Sequence, residues 1–115
     1  MALLDVQVAC LANQAMNYLT SGVEPVKMGN AHPNIVPYQD FPTLDGRIIV
    51  TVGNDSQFYK FCECLGVPEL SKDSRFSSNS MRIANRAILA AQISQIMMDK
   101  NSSEWLKVFE MSGVP

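Results

Sequence analysis

Residues 29–58 have the sequence GNAHPNIVPYQDFPTLDGRIIVTVGNDSQF, which contains the clearest strand–turn–strand pattern in the chain. The run 47–52 is apolar and β-branched, which is typical of a largely buried strand. The preceding Asp45-Gly46 pair suits a tight turn with positive φ angles. Residues 38–41 predict the partner strand, which we place at a sheet edge because Pro42 has no amide hydrogen to donate. The stretch therefore predicts an antiparallel hairpin.

Apolar residues at helical spacing flank this hairpin. Residues 2–20 predict one amphipathic helix that would pack against the stretch 29–58 and end at Ser21-Gly22. A loop follows over 22–36, and loops of this length inside compact domains are more often functional than not. After the hairpin, Asn54 or Asp55 would cap a helix of about ten residues.

Two further helices are predicted in the last third of the chain. The longest would cover residues 80–99, and a short one would cover 102–111. Asn101 and Glu104 have the spacing of a capping box, while Trp105 and Phe109 would anchor the last helix. The order of elements predicts an α+β fold, a small antiparallel sheet or hairpin packed with about four helices. We expect a single domain over residues 1–115.

Composition excludes several classes of function. Of the 115 residues, 47% are hydrophobic and 17% charged, and the formal net charge is −2, which is typical of a globular domain. No basic run is present, so nucleic acid is not expected as a partner. The apolar runs are too short to cross a membrane, and the first residues do not resemble a signal peptide.

The three cysteines do not describe a disulfide framework. Cys10, Cys62 and Cys64 are odd in number and irregularly spaced, which favours a reducing compartment and a cytoplasmic location. Cys62 and Cys64 would lie on different faces of a helix, and a single histidine completes no zinc site. We therefore expect no metal and interpret the cysteines as small buried apolar residues.

His32 is the only histidine and has two interpretations. It could act as a general base oriented by Asp40, Asp45 or Asp55, although the spacing selects none of them. Its Gly-Asn-Ala-His-Pro context favours a turn residue that bonds to the backbone. Gly29-Asn30 and Gly53-Asn54 would allow a ligand to approach the backbone, or they are turn glycines, because no phosphate-binding fingerprint is present.

Several short motifs resemble the family III CoA-transferases, which include formyl-CoA transferase, carnitine-CoA transferase-like proteins and α-methylacyl-CoA racemase. The motifs in the central stretch are Gly29-Asn30-Ala31-His32-Pro33, Pro37-Tyr38, Phe41, Asp45-Gly46, Val52-Gly53-Asn54-Asp55 and Gln57-Phe58. The similarity continues through residues 65–70, 73–76, 82–86, 104–106 and 112–115. It covers the whole chain in the same order.

This resemblance implies the small domain of a much longer enzyme, with residues 1–22 as a leading helix and 23–115 as the small domain. Family members bind CoA mainly through a Rossmann-like large domain, and their nucleophilic aspartate precedes the region matched here. We therefore assign no catalytic residue to this chain and do not expect it to be catalytic alone. CoA or acyl-CoA would be the substrate, with no covalently bound cofactor.

The resemblance also implies a set of substrate-binding residues. A glycine-rich active-site loop of the family corresponds to residues 29–34, so Gly29, Asn30 and His32 are candidates. Asp55 is the nearest match to an acidic active-site residue in the racemase branch, with Asn54 beside it, although Asp55 could simply cap the helix. The family forms interlocked dimers, so a homo-oligomer is expected. The alternative is a self-associating structural module without catalysis.

Overall fold

A computed structural model describes all 115 residues and has an α+β architecture, as the sequence predicts. The elements in chain order are helices α1 (Leu3–Ala9) and α2 (Asn13–Ser21), strands β1 (Tyr38–Pro42) and β2 (Arg47–Thr51), helix α3 (Asp55–Cys64), a 3-10 helix (Pro68–Lys72), and helices α4 (Asn79–Ala84), α5 (Arg86–Met97) and α6 (Ser102–Ser112). The strands form an antiparallel hairpin in which Tyr38 is opposite Thr51 and Pro42 is opposite Arg47.

Two predicted helices are each divided, so six helices replace the expected four or so. The leading helix is interrupted at residues 10–12, where Ala12 has a φ of 45°, which is unusual for a residue with a Cβ. The predicted helix 80–99 is interrupted at Asn85, whose side-chain amide donates to the Met81 carbonyl at 2.9 Å and the Arg75 carbonyl at 3.2 Å. Apolar spacing continues across both breaks and could not reveal them.

The hydrophobic core lies between the hairpin and helices α3, α5 and α6. Leu89, Ile93 and Met97 form the fully buried face of α5. Trp105 and Phe109 of α6 are stacked with ring centroids 5.5 Å apart, and the indole N–H of Trp105 donates to the Met97 carbonyl at 2.8 Å. The anchoring of α6 by these rings is confirmed, and so is its capping box, formed by Asn101 and Glu104.

The hairpin differs from its prediction in burial and in its turn. Ile48 is buried and Ile49 is exposed, so β2 is only half-buried rather than largely buried. Neither Asp45 nor Gly46 has a positive φ, because the turn spans residues 43–46. The Asp45 carboxylate accepts from the backbone N–H of Ser102 at 2.7 Å and from its hydroxyl at 2.9 Å. This contact ties the turn to the start of α6.

Helices α1 and α2, here called the arm (residues 1–22), contain no buried residue. The prediction that this segment packs its apolar face against residues 29–58 is wrong, because it meets that stretch through exposed hydrogen bonds between Asn17 and Asn34. The arm's large apolar side chains are exposed, namely Leu3, Leu4, Val6, Val8, Leu11, Met16, Tyr18 and Leu19. The radius of gyration is 16.2 Å, whereas a compact domain of this length has about 13 Å.

The cysteines lie in three different environments. Cys62 is buried, Cys64 is partly buried, and Cys10 is exposed in the arm. The interpretation as small buried residues is therefore confirmed for Cys62 and wrong for Cys10. None of the helices combines the length and the apolar character that crossing a membrane requires.

Candidate functional site

The loop of residues 29–37 contains three of the predicted substrate-binding residues. Gly29 has a φ of 62°, which places it in the left-handed region that glycine adopts most easily. The N–H of His32 donates to the Tyr38 carbonyl at 2.9 Å, and its Nδ1 accepts from the backbone N–H of Asn34 at 3.0 Å. His32 is therefore a turn residue bonded to the backbone.

The three aspartates considered as partners of His32 are bonded elsewhere. Asp40 pairs with Arg47 across the hairpin, Asp45 binds Ser102, and Asp55 binds Arg82. The hydrogen bond from Arg47 holds the pKa of Asp40 below its ordinary value, and Asn30 contributes a smaller hydrogen bond in the same direction. No carboxylate orients His32, so the arrangement does not support a general-base pair.

Two side chains from α4 and α5 fix the backbone of the 29–37 loop. The side-chain amide of Asn79 donates to the Asn34 carbonyl at 2.8 Å, and its oxygen accepts from the Val36 N–H at 3.1 Å. Arg86 donates to the carbonyls of His32 at 2.9 Å and Pro33 at 2.7 Å. The loop has no regular secondary structure, yet the carbonyls of residues 32, 33, 34 and 36 and the N–H of Val36 each have a side-chain partner.

Arg82 lies between these two residues and is almost completely buried, with 1% of its surface exposed. Its Nε donates to the Val36 carbonyl at 2.7 Å and its Nη1 donates to the Phe76 carbonyl at 3.1 Å. Its Nη2 donates to the Asp55 carboxylate at 2.7 Å, and the guanidinium carbon lies 4.4 Å from the centre of the Phe58 ring. A buried charge whose three nitrogens each donate to an acceptor holds its neighbours in a defined arrangement.

The start of α3 holds the other two predicted residues. Asn54 caps the helix, because its side-chain oxygen accepts from the Gln57 N–H at 2.9 Å. Asp55 occupies the first turn, and its side chain, 62% exposed, pairs with Arg82 instead of capping. The capping prediction is confirmed for Asn54 and wrong for Asp55.

Sequence reasoning missed the three residues that hold the loop in place. Asn79 and Arg82 are three positions apart on α4, and Arg86 begins α5 just after the break at Asn85. Arginines at positions 82 and 86 look like solvent-exposed charges when the sequence alone is considered. Only the fold shows that these three side chains bind the backbone of a loop more than 40 residues earlier.

The predicted site residues lie at the surface of two separate segments rather than in a cavity, and His32 is half-buried. Gly29, Asn30, Asn54 and Asp55 are exposed, and none of them lines a groove of the structure. A groove of about 520 Å³ lies instead along the arm, lined by apolar residues such as Leu11 and Leu19.

Nucleophilic and metal chemistry have little support in this chain. Burial raises the pKa of the Cys62 thiol to about 12, so this side chain remains protonated at neutral pH. No group of three or more metal-ligating side chains is clustered. The arrangement is suited to binding through exposed amides, a carboxylate and backbone groups on a fixed support.

Comparison with known proteins identifies the family. The model of CoA-transferase family III matches residues 1–115. The chain belongs to this family. It is 47% identical over 115 residues to the succinate–glutarate CoA-transferase of Agrobacterium fabrum, covering 100% of this chain and 29% of that protein. It is 45% identical over 113 residues to the human succinyl-CoA:glutarate CoA-transferase, covering 98% of this chain and 26% of that protein.

A solved structure shares the fold of this chain. The crystal structure of a CAIB/BAIF family protein from Brucella suis is 50% identical, with a TM-score of 0.79 over 100% of this chain and 30% of that chain. The chain therefore spans between a quarter and a third of the length of the relatives it matches, and it corresponds to their small-domain portion.

Proposed function

We propose that this chain serves as the small domain of an enzyme that transfers CoA between an acyl-CoA and a carboxylic acid. The carrying observation is 47% identity, across the whole chain, to a succinate–glutarate CoA-transferase. The names of the two curated relatives described above both include succinate, or succinyl-CoA, together with glutarate. We therefore propose the CoA thioester of a dicarboxylic acid as the CoA donor and a second dicarboxylate as the acceptor.

Within that enzyme, the chain would bind substrate rather than perform the chemical step. The residues we assign to binding are Gly29, Asn30, His32, Asn54 and Asp55. Covalent CoA transfer needs a positioned nucleophile, and the family resemblance implies that the nucleophilic aspartate precedes the region matched here. The proposed contribution of this chain is a fixed surface against which the acyl-CoA is held, in a reaction completed by residues of the larger enzyme.

A hybrid enzyme tests this proposal. The segment of the Agrobacterium fabrum relative that aligns with this chain is replaced by residues 1–115, and CoA transfer from succinyl-CoA to glutarate is measured. We expect the hybrid to form glutaryl-CoA, because the chain supplies the same small domain. A folded hybrid that forms no glutaryl-CoA, while the unmodified relative does, would contradict the proposal.

The exposed arm favours a second candidate function, self-association, in which the arm binds a second copy of this chain. Its apolar side chains are uncovered, and such surfaces commonly mark interfaces. Asp5 is the only charged side chain among residues 1–22, so two identical arms would meet with little like-charge repulsion. A homodimer in the cytoplasm, where the exposed Cys10 stays reduced, is the form we propose.

Light scattering after size exclusion tests the dimer. Leu4→Glu and Leu19→Glu place charges on the arm, and Leu106→Glu places one on an exposed position of α6 as a control. We expect the first two substitutions to produce monomers and the control to remain dimeric. A monomeric unmodified chain at high micromolar concentration would remove this candidate.

A further inference from the structure

Arg82 connects the two segments that carry the predicted substrate-binding residues. Its Nε binds the Val36 carbonyl in the 29–37 loop, and its Nη2 binds the Asp55 carboxylate in the first turn of α3. No other side chain hydrogen-bonds to both segments. The connection is buried at the arginine and exposed at the aspartate.

The guanidinium group makes this connection stiff. Its donors point in fixed directions within one plane, so the acceptors must keep their relative positions. The Phe58 ring covers one face of the group, and the Phe76 carbonyl holds it from a third side. The loop cannot move away from α3 without leaving a buried donor or acceptor unpaired, which is unfavourable.

We propose that Arg82 is a positioning residue that holds the 29–37 loop and the start of α3 at one spacing, so that both segments bind the same acyl-CoA molecule. This inference rests on the proposed function of the small domain. Because only 1% of its surface is exposed, we do not expect Arg82 to touch the substrate itself. Its effect passes through Val36 on one side and Asp55 on the other.

Hydrogen exchange of the 115-residue chain tests the connection without any catalytic assay. Asp55→Asn weakens the pairing with Arg82 but leaves both carbonyl contacts of the arginine and the Asn54 cap in place. We expect amides of the 29–37 loop, which Asp55 does not contact, to exchange about tenfold faster in this variant. Asp73→Asn, which weakens the exposed pair with Arg75, is the matched control and should leave the loop unchanged.

Kinetics of the hybrid enzyme test the effect on substrate binding. Arg82→Lys keeps the charge but cannot bind all three acceptors in the same plane. We expect KM for succinyl-CoA to rise about tenfold while kcat changes by less than about threefold, because binding is disturbed and the chemical groups are not. Arg75→Lys, at an exposed arginine, should change neither value.

The two experiments separate failure of this inference from failure of the proposed function. Unchanged loop exchange in Asp55→Asn, or an equal change in Asp73→Asn, overturns the connection whether or not the hybrid is active. An active hybrid in which Arg82→Lys leaves KM unchanged, or lowers kcat alone, overturns the effect on binding. A hybrid without activity overturns the proposed function, and with it the inferred effect on binding, while the exchange experiment still decides the connection.

Discussion

The arm has regular secondary structure but few contacts with the rest of the chain, whereas the 29–37 loop has the opposite properties. The arm consists of two regular helices, yet it buries no residue and meets the rest of the chain through few contacts, among them a pair of exposed amide hydrogen bonds between Asn17 and Asn34. The loop has no regular structure, yet three side chains bind its backbone. Local regularity therefore does not indicate how firmly a segment is held, which depends on its long-range partners.

The largest expected effect comes from removing the buried support of the loop. Arg82→Met should lower the free energy of unfolding by about 3 kcal/mol, because two buried carbonyls lose their donors. Urea denaturation measures this change. Arg75→Met, at an arginine with 49% of its side chain exposed, should change the value by less than about 0.5 kcal/mol. Equal losses in both variants would contradict the special position of Arg82.

A second, smaller effect should follow from Asn79→Ala. This change leaves the Val36 N–H and the Asn34 carbonyl without their partner, so we expect a loss of about 1–2 kcal/mol. The matched control in the arm is Asn17→Ala, which breaks exposed amide bonds and should cost less than about 0.5 kcal/mol. If the arm variant were as destabilising as the loop variant, the contrast between the two regions would fail.

Two aspartates of the hairpin should make the protein less stable at acidic pH. Hydrogen bonds from Arg47 and from Ser102 lower the pKa values of Asp40 and Asp45 from 3.8 in the folded state. Because these folded pKa values lie below the unfolded ones, the stabilisation is complete above about pH 4 and is lost as pH falls through the folded values. Melting temperatures measured from roughly pH 2 to pH 7 would show this loss of stability.

Asp45→Asn isolates one part of this pH dependence. The substituted side chain keeps an oxygen near Ser102 but has no charge to lose, so the decline in melting temperature below about pH 4 should become shallower. If the decline of the melting temperature at acidic pH were unchanged, the contact between the turn and α6 would not contribute to the pH dependence.

The smallest effect is expected in the arm. Leu4→Ala should change the free energy of unfolding of the monomeric chain by less than about 0.5 kcal/mol, because this side chain is 74% exposed. The same substitution at the fully buried Leu89 should cost about 2–5 kcal/mol. Urea titrations of both variants measure the difference, and a large loss at Leu4 would mean that the arm is packed.

Local signals explain which parts of the fold could be predicted. The Asn54 cap, the capping box of α6 and the β-branched strand each depend on residues a few positions apart. The same local logic failed at the turn, where the contact of Asp45 with Ser102 accompanies a wider turn than the Asp-Gly pair suggests. Local patterns also failed to show the helix break at Asn85, whose side chain binds the carbonyl of Arg75, ten positions earlier in the sequence.

The candidate site could be predicted only in part, for the same reason. Motif resemblance selected Gly29, Asn30, His32, Asn54 and Asp55, whose part in substrate binding stays a prediction. Arg82 binds Asp55, which is 27 positions away in the sequence, and Val36, which is 46 positions away. No local sequence pattern could show either hydrogen bond. Apolar spacing likewise predicted helices in the arm without showing that nothing covers their faces.

Amide hydrogen exchange of the unmodified chain, resolved by residue, tests most directly whether the 29–37 loop is a fixed surface. The amides of His32 and Val36 donate to Tyr38 at 2.9 Å and to Asn79 at 3.1 Å. We predict that both exchange more slowly than the helical amides of the arm, although the loop lacks regular structure. Loop amides that exchange as fast as those of the arm, or faster, would contradict the account.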